Sequence, residues 1–329
     1  MGNLSLSFAM WSNPRARRVM DGRVEIEGVD LTITNSPPAD TFWRQLRFAE
    51  FDISEMSMAS LSIATAKGED RWVVVPVFPD RHFFHANVLV RKDAGIDSPA
   101  DLRGRSVSIP DYQQTGAVWA RGILEHDFDL KPSDMHWYQE RTPSLSHGGA
   151  TGFTPPAGVE VTQMTSEQTA SDMLRRGEID SMIMHIPYPT LLDRSSPPHD
   201  VAVRLFADRD QETHRMFAKW GFIPPNHCVV IRRELVEKHP WLPVNIFRAF
   251  SASLAGHLEE IADLTRLHRE AGVLGQEANQ SLLDNSVLPY GLAANKNALA
   301  VLADLLVEQG LIARRVEIAE LVPESLLDT

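Results

Sequence analysis

Arg81, His82 and His85 are chemically active residues that follow a predicted buried strand. The run from Val73 to Val77 has the length and β-branched content of such a strand, and the prolines within and after it exclude a helix. An arginine can bind a carboxylate through two parallel hydrogen bonds, and a histidine titrates near neutral pH. This segment could therefore bind a carboxylate and exchange protons with it, although a solvated turn can have the same composition.

Similar polar groups stand at the ends of other predicted strands. Residues just beyond the carboxyl end of a strand face the crevice of an open α/β sheet. Where a helix begins at such a point, its free backbone N–H groups can bind an anion. Trp11 could in addition stack on an aromatic ring. The residues at these positions are Trp11, Arg15, Arg17, Glu55, Ser57, Tyr112, Gln113 and Thr115, and His227 begins a later strand.

Composition narrows the class of protein. The chain has 329 residues, of which 43% are hydrophobic and 23% are charged, as in globular proteins. A formal charge of −12 argues against binding to nucleic acid or to an anionic membrane. Cys228 is the one cysteine, so no internal disulfide can form and a reducing cytoplasm is expected. The first ten residues alternate like a strand and not like a signal peptide, and no apolar run reaches the ~20 residues of a membrane span.

The order of the elements predicts an α/β protein with two lobes. The first ninety residues read β-α-β-α-β, and a second unit of the same kind spans roughly 96 to 190. A further strand begins at His227, and helices dominate after Pro243. We therefore expect one lobe from residues 1–95 and 226–329, including the C-terminal helices, and a second lobe from residues 96–225. A cleft lies between the lobes, and this arrangement resembles the type II periplasmic-binding-protein fold.

Several strings also resemble one family on that fold, the 4,5-dihydroxyphthalate decarboxylases, and they match in order and spacing over nearly the whole chain. They are Asp21-Gly-Arg, Glu50-Phe-Asp-Ile-Ser-Glu-Met-Ser57, Pro76-Val-Phe-Pro-Asp-Arg81, Tyr112-Gln-Gln-Thr, Ala117-Val-Trp-Ala-Arg-Gly-Ile-Leu124, His136-Trp-Tyr138 and Val229-Val-Ile-Arg-Arg. The resemblance implies a cytoplasmic enzyme in which a solute-binding fold has become catalytic.

The resemblance also assigns crevice positions. Phe84 and Ala86 stand where family members tend to have an arginine and a serine, which predicts a substrate with fewer carboxylates than a phthalate. The positions that match the family are Arg15, Arg17, Glu55, Ser57, Arg81, His85, Tyr112, Gln113, Thr115 and His227.

The reaction implied is cofactor-independent loss of CO2 from a hydroxylated aromatic acid. A ring hydroxyl pushes electron density to the carbon that bears the carboxylate, and an acid then protonates that carbon. We expect His85 or His227 to be the acid, Arg81 to orient the carboxylate, and Glu55 to hold the ring hydroxyl or the histidine tautomer. No cofactor is expected, a divalent metal stays open, and the partner is a small aromatic carboxylate. A homo-oligomer is possible.

The competing hypothesis is a non-catalytic solute-binding protein that captures a small carboxylate in the same cleft. A third is an enzyme of another reaction type on the same scaffold. Release of CO2 from a panel of hydroxybenzoates separates the first two hypotheses. In each case two lobes joined by two crossings can hinge, so we expect the cleft to close on its ligand.

Overall fold

Short apolar runs form strands in two sheets. The structure, a computed structural model, describes residues 2–184, 189–274 and 288–329. The strands are β1 (Leu4–Met10), β2 (Val29–Asn35), β3 (Ile53–Ser57), β4 (Trp72–Val75), β5 (Val88–Arg91), β6 (Ser106–Ile109), β7 (His136–Gln139), β8 (Val161–Gln163), β9 (Ser181–Ile183), β10 (Ala202–Arg204) and β11 (His227–Arg232).

Helices connect and cover these strands. Among the described residues, none of the helices is long and apolar enough to cross a membrane. The helices are α1 (Arg17–Met20), α2 (Pro38–Phe48), α3 (Met58–Ala66), α4 (Thr115–Phe128), α5 (His147–Thr151), α6 (Ala170–Arg176), α7 (Arg209–Trp220), α8 (Arg233–Lys238), α9 (Leu242–Glu270), α10 (Lys296–Glu308) and α11 (Ile318–Leu321).

The first sheet has the strand order β2-β1-β3-β11-β4. Strand β1 is parallel to β2 and β3, whereas β11 is antiparallel to both of its neighbours, β3 and β4. In this register His227 lies opposite Ser57, and Val229 lies opposite Glu55. The sheet therefore brings His227 next to Glu55 although 172 positions separate them in the chain.

The second sheet has the strand order β10-β5-β9-β6-β7-β8. Strand β5 is antiparallel to β9 and β10, so the chain passes from the first sheet to the second between residues 75 and 88. It returns between residues 204 and 227. The predicted α/β architecture is confirmed. The division into residues 1–95 plus 226–329 and 96–225 stays a proposal, and the pairing of β5 moves the first crossing ahead of residue 95.

One hydrophobic core runs through both sheets. It includes Phe8 from β1, Val229 from β11 and Trp137 from β7, all buried. Helix α4 lies against α10, and a Cβ at Gly122 would meet the Leu305 side chain, so a small residue allows this close approach. The hydrophobic core therefore continues from one sheet to the other.

Candidate active site

A cavity of about 190 Å³ lies between segments of the two sheets. The first sheet contributes the ends of β1, β3 and β11, the beginning of α2 and the segment after β4, and the second contributes the segment after β7 and α5. The cavity is lined by Trp11, Asn13, Arg15, Pro37, Pro38, Ala39, Phe42, Glu55, Ser57, Pro79, Asp80, Gln114, Arg141, His147, Thr190, Asp193, Asn226 and His227.

A buried histidine–carboxylate pair lies in one wall of the cavity. The Nδ1 atom of His227 is 2.7 Å from Oε1 of Glu55, and both side chains are almost fully buried. The second oxygen of Glu55 accepts a hydrogen bond from the backbone N–H of Trp11 at 3.2 Å. The His227 and Phe42 rings also meet edge to face, with centroids 4.7 Å apart. These contacts fix the orientation of the imidazole.

The other ring nitrogen of His227 contacts a second polar group. Nε2 lies 2.7 Å from Nδ2 of Asn226, and the same Nδ2 atom lies 2.6 Å from Oδ2 of Asp80. Asp80 in turn pairs with His82 at 2.8 Å. Both nitrogens of His227 are therefore hydrogen-bonded in this structure.

The surroundings of His227 change its pKa. Burial lowers the pKa of His227, but the charge and hydrogen bond of Glu55, with the charge of Asp80, raise it further than burial lowers it. Burial raises the pKa of Asp80, but His82 and His227 lower it more, so this carboxylate stays ionised at neutral pH. The site therefore stabilises a positive charge on His227, as a proton-exchanging group requires.

Arg15 supplies a positive charge at the same cavity. It is half-buried, and it donates to the backbone carbonyl of Pro79. Within the described part of the chain, no carboxylate lies within ion-pair distance of its guanidinium, whereas Arg141, the other arginine that lines the cavity, is paired with Asp193. An arginine that lines a cavity without a carboxylate partner can bind a carboxylate ligand.

Arg141, on the opposite wall, already has a carboxylate partner. Its Nε and Nη2 atoms donate to the two oxygens of Asp193 at 2.6 and 2.8 Å, and Asp111 lies 3.8 Å away. The buried Asp193 carboxylate therefore offsets the charge of Arg141 within the wall. Arg141 is therefore a weaker candidate than Arg15 for binding a ligand carboxylate.

His147 lies beside Arg141 and is held neutral. Its Nε2–H donates to the backbone carbonyl of Ala39 at 3.1 Å, which joins α5 to α2. Burial, with the neighbouring charge of Arg141, lowers the pKa of His147 to about 3. An imidazole with so low a pKa does not donate a proton at neutral pH, so His227 is the better candidate.

The cavity brings together five of the residues predicted from the sequence: Trp11, Arg15, Glu55, Ser57 and His227. The N–H groups at the beginning of α3, which were expected to bind an anion, are used within the protein. That of Met58 donates to the carbonyl of Asn226 at 3.2 Å, and that of Ala59 donates to Thr115 Oγ1 at 3.0 Å. The roles of the five residues stay predictions.

His85 lies outside the cavity. Its side chain is fully buried, and Nε2 pairs with Oε1 of Glu212 in α7 at 2.7 Å. Burial lowers the pKa of His85 despite this carboxylate. Its placement does not support a role as the proton donor to a substrate in the cavity.

Arg81 also points away from the cavity. Its guanidinium donates to the carbonyls of Ile223 at 3.1 Å and Pro289 at 2.8 Å and to the side chain of Asn295. Burial lowers the pKa of Arg81 to about 9. In this position it ties three segments of the chain together and does not reach a substrate in the cavity.

The remaining predicted residues also lie outside the cavity lining. Arg17 is exposed at the beginning of α1. The Tyr112 ring is buried under the Arg121 guanidinium, 3.9 Å from its centroid. Gln113 donates to Ser60 at 3.1 Å, and Thr115 contacts Ser57 at 2.9 Å. Thr115 therefore supports the cavity residue Ser57 from behind.

Phe84 and Ala86, from which a less charged substrate was predicted, are both buried in the protein interior. The Phe84 ring lies where a side chain on Gly116 would be. Neither residue lines the cavity. Phe84 and Ala86 therefore do not indicate how many carboxylates the substrate carries.

Sequence reasoning missed several cavity residues. Asp80 stands inside the string that drew attention to Arg81, and Asn226 directly precedes His227. Arg141 and His147 occur in segments that gave no signal beyond a loop composition. Within the ranges that the structure describes, no three histidine, cysteine or acidic side chains are grouped so that they could hold a metal ion.

The fold is similar to that of solute-binding proteins. The periplasmic aliphatic sulphonate binding protein SsuA from Escherichia coli has a TM-score of 0.53 and 15% identity, with 100% of both chains covered. The desulfurization enzyme DSZB has a TM-score of 0.58 and 14% identity, covering 99% of this chain and 98% of that chain. These similarities show a two-lobed fold of the type II periplasmic-binding-protein class.

Sequence relatives define the family within that class. The 4,5-dihydroxyphthalate decarboxylase of Comamonas testosteroni is 33% identical over 331 aligned positions, covering 100% of this chain and 99% of that protein. The 4,5-dihydroxyphthalate decarboxylase of Pseudomonas putida is 39% identical over 183, covering 56% of this chain and 71% of that protein. No family model matches the chain. The chain belongs to the 4,5-dihydroxyphthalate decarboxylase family, which confirms the family predicted from the sequence.

Proposed function

We propose that this protein is a carboxy-lyase that releases CO2 from a hydroxylated aromatic carboxylate bound in the cavity between the two sheets. Membership of the decarboxylase family supports the reaction class. The observation that carries the proposal is the arrangement of one cavity: the Glu55–His227 pair, 2.7 Å apart, shares it with Arg15. A proton-exchanging group and a carboxylate-binding cation are the two groups that the reaction needs.

Arg15 binds a carboxylate of the substrate. This carboxylate forms the ion pair that no carboxylate side chain of the described residues forms with Arg15. The apolar side chains of Phe42, Pro37 and Pro38 line the cavity and can contact an aromatic ring. Trp11 lines it as well and stays our candidate for stacking on the ring. The site thus combines one charged anchor with apolar walls, as small-molecule sites commonly do.

His227 exchanges the proton and Glu55 supports it. Electron density from a ring hydroxyl makes the carbon that bears the carboxylate basic, and this carbon is protonated before the C–CO2 bond breaks and its electron pair returns to the ring. The hydrogen bond from Nδ1 to Glu55 orients the imidazole and stabilises its charged form. A positioned acid–base group of this kind contributes ~10²- to 10⁴-fold in rate.

4,5-Dihydroxyphthalate is the first substrate to test, because it is the compound in the names of both relatives. Hydroxybenzoates with a single carboxylate form the rest of the panel. We also propose that the protein acts in the cytoplasm without a cofactor, with a divalent metal and a homo-oligomer left open. A parallel assay with a chelator decides whether a metal takes part.

The test is release of CO2 from 4,5-dihydroxyphthalate, from 3,4-dihydroxybenzoate and from phthalate, which has no ring hydroxyl. We expect release only from hydroxylated substrates. His227→Asn should lower kcat at least ~10²-fold while the protein stays folded. His85→Asn is the matched control and should keep kcat, because His85 lies outside the cavity. Full turnover by a folded His227→Asn variant contradicts the assignment.

The alternative function is binding without chemistry, and the fold similarity to SsuA is the observation that favours it. Under this alternative the protein binds the same carboxylates, measured by calorimetry, yet releases no CO2 from any of them. Saturable binding together with no release across the panel would replace the decarboxylase proposal.

A further inference from the structure

Asn226 is buried between the Asp80 carboxylate and the His227 imidazole. The residue is 1% exposed, and its Nδ2 atom contacts both Oδ2 of Asp80 and Nε2 of His227. Its backbone is also held, because its N–H donates to the carbonyl of Asp80 at 2.9 Å and its carbonyl accepts from Met58 at 3.2 Å. The amide can therefore change its contacts only by turning about its own side-chain bond.

The negative charge of Asp80 determines the orientation of the Asn226 side-chain amide. An ionised carboxylate can only accept hydrogen bonds, so it requires the NH2 group of Asn226 at 2.6 Å and would repel the amide oxygen there. The cost of this orientation is visible in the structure, since the amide oxygen of Asn226 is buried and has no hydrogen-bond partner among the described residues. Turning the amide would give that oxygen a partner in a protonated His227, but it would set two oxygens against each other.

The orientation of Asn226 then fixes the proton on His227. With one N–H of Asn226 pointing at Asp80, the other points at Nε2, which must accept and so carries no proton. The ring proton of the neutral imidazole is therefore on Nδ1, where Glu55 accepts it. Each of the three contacts then has one donor and one acceptor.

We propose that Asn226 is a positioning residue which, oriented by Asp80, keeps His227 as the Nδ1–H tautomer with Nε2 as a hydrogen-bond acceptor. For His227 to donate a proton from Nε2, it must first take one up and the Asn226 amide must turn away. The catalytic meaning of this arrangement rests on the function proposed above. The tautomer itself does not, because it can be observed without turnover.

Other charged groups also act on His227. Glu55 from β3 and Asp80 from the segment after β4 favour its protonated form, whereas Arg141 from the segment after β7 opposes it, and the neutral His147 of α5 lies nearby. Asn226 also opposes protonation of His227, because its N–H points at Nε2, the atom that would carry the second ring proton. Removing that N–H therefore removes one of the groups that oppose protonation, so the pKa of His227 should rise.

The test is histidine ¹⁵N NMR of the unliganded protein across pH 6 to 10, with His227→Asn to assign the signal. We expect neutral His227 in the wild type to be protonated at Nδ1 only. In Asn226→Asp an oxygen that can accept from Nε2–H replaces the N–H group and also faces Asp80, so the added negative charge should raise the pKa of His227 by about 1 unit or more. Asn226→Ala should raise it by less. Asn295→Asp, the same change at a buried asparagine bound to Arg81, should leave the His227 signal unchanged.

A proton on Nε2 of neutral wild-type His227 overturns the proposal, whether or not the variants fold. So does an unchanged pKa in a folded Asn226→Asp or Asn226→Ala protein. If the tautomer is found but no substrate loses CO2, the inference stands and the proposed function fails. If CO2 is released but Nε2 carries the proton, the proposed function stands and the inference about the tautomer fails.

Discussion

Arg15 and Arg17 are two positions apart in the chain, yet only Arg15 lines the cavity. We predict that Arg15→Gln raises KM for a carboxylate substrate about 10- to 100-fold, because a hydrogen bond to a charged group is worth roughly 1.5–3 kcal/mol. The change in kcat should be smaller, since Arg15 holds the substrate and does not exchange its proton. Steady-state kinetics measures both constants.

Arg17→Gln is the matched control for this prediction. It removes the same charge from the same segment, but the exposed Arg17 side chain does not face the cavity. Its KM should stay within about twofold of the wild type, since a single exposed charge is screened by water and salt. Equal effects of the two substitutions would show that Arg15 acts only through the general electrostatic field.

His147 gives the fold a dependence on pH. Its pKa is about 3 in the folded protein, against about 6.5 in an unfolded chain. Between these values the unfolded chain binds a proton that the folded protein does not, so lowering the pH favours unfolding, by up to ~1.4 kcal/mol per pH unit. We predict that the free energy of unfolding falls as pH decreases from about 6.5 towards 4.

His147→Gln isolates this contribution, because glutamine can still donate to the carbonyl of Ala39 but does not titrate. Urea unfolding of both proteins at pH 7.5 and pH 4.5 gives the comparison. The loss of stability on acidification should be smaller in the variant, and other groups such as His85 affect both proteins alike. Parallel losses would mean that His147 does not titrate as its surroundings indicate.

Single residues also show how far the sequence can predict this site. Glu55, Ser57 and His227 were predicted because strand ends point into a cleft. Asp80 and Arg81 show the limit, because neighbouring residues in an extended segment point to opposite sides. The sequence marks this segment as important but does not say that the carboxylate faces the cavity and the guanidinium faces the protein interior.

Among the secondary-structure elements, the short helix α5 determines where His147 lies. The backbone N–H of His147 donates to Asp111 at 2.7 Å, and α5 packs closely against the preceding loop. A Cβ on Gly149 would overlap the backbone carbonyl oxygen of Pro143. We predict that Gly149→Ala destabilises the protein by about 1–3 kcal/mol, because the backbone has to move. Thermal unfolding measures the effect.

Gly148→Ala, one residue earlier in α5, is the control. Its new methyl group would lie 3.5 Å from Oδ1 of Asp111, an ordinary contact. Its stability should stay close to that of the wild type, or rise slightly because alanine has less freedom in the unfolded chain. If both variants lose the same stability, the close approach at Gly149 is not the cause.

The elements themselves were largely predictable, but their partners were not. The apolar pattern predicted strands that the structure contains, such as the first strand, the run from Val73 and the strand that begins at His227, and it predicted helices after Pro243. Strands β7 and β10 were not predicted. Helix α5 was missed, because its two glycines and the serines that precede it are typical of a loop. The sequence also does not indicate that β11 inserts between β3 and β4. Strand order depends on long-range packing, whereas the apolar pattern reports only local geometry.

At the scale of the whole molecule, hydrogen bonds join the two lobes. The Trp43 side chain donates to the carbonyl of Ser144 at 3.0 Å, and the N–H of Leu192 donates to Asp40 at 3.2 Å. Such contacts can form and break as two lobes hinge. We predict that saturating phthalate, which has no ring hydroxyl to drive its decarboxylation, lowers the radius of gyration in small-angle scattering.

The Arg15→Gln protein serves as the control in the scattering experiment. At the same phthalate concentration it should show less compaction, because the carboxylate anchor is missing. An unchanged radius in the wild type, at a concentration where calorimetry shows saturation, would mean that the halves do not move on binding.

The central place of β11 has a consequence for biosynthesis. A ribosome delivers β3 and β4 long before β11, and until β11 emerges these two strands have unpaired edges, which favour aggregation. Nascent chains that stall or are cut before His227 therefore lack the histidine partner of Glu55. They also lack β11, the strand that joins β3 to β4. We expect such fragments to aggregate unless a chaperone binds them.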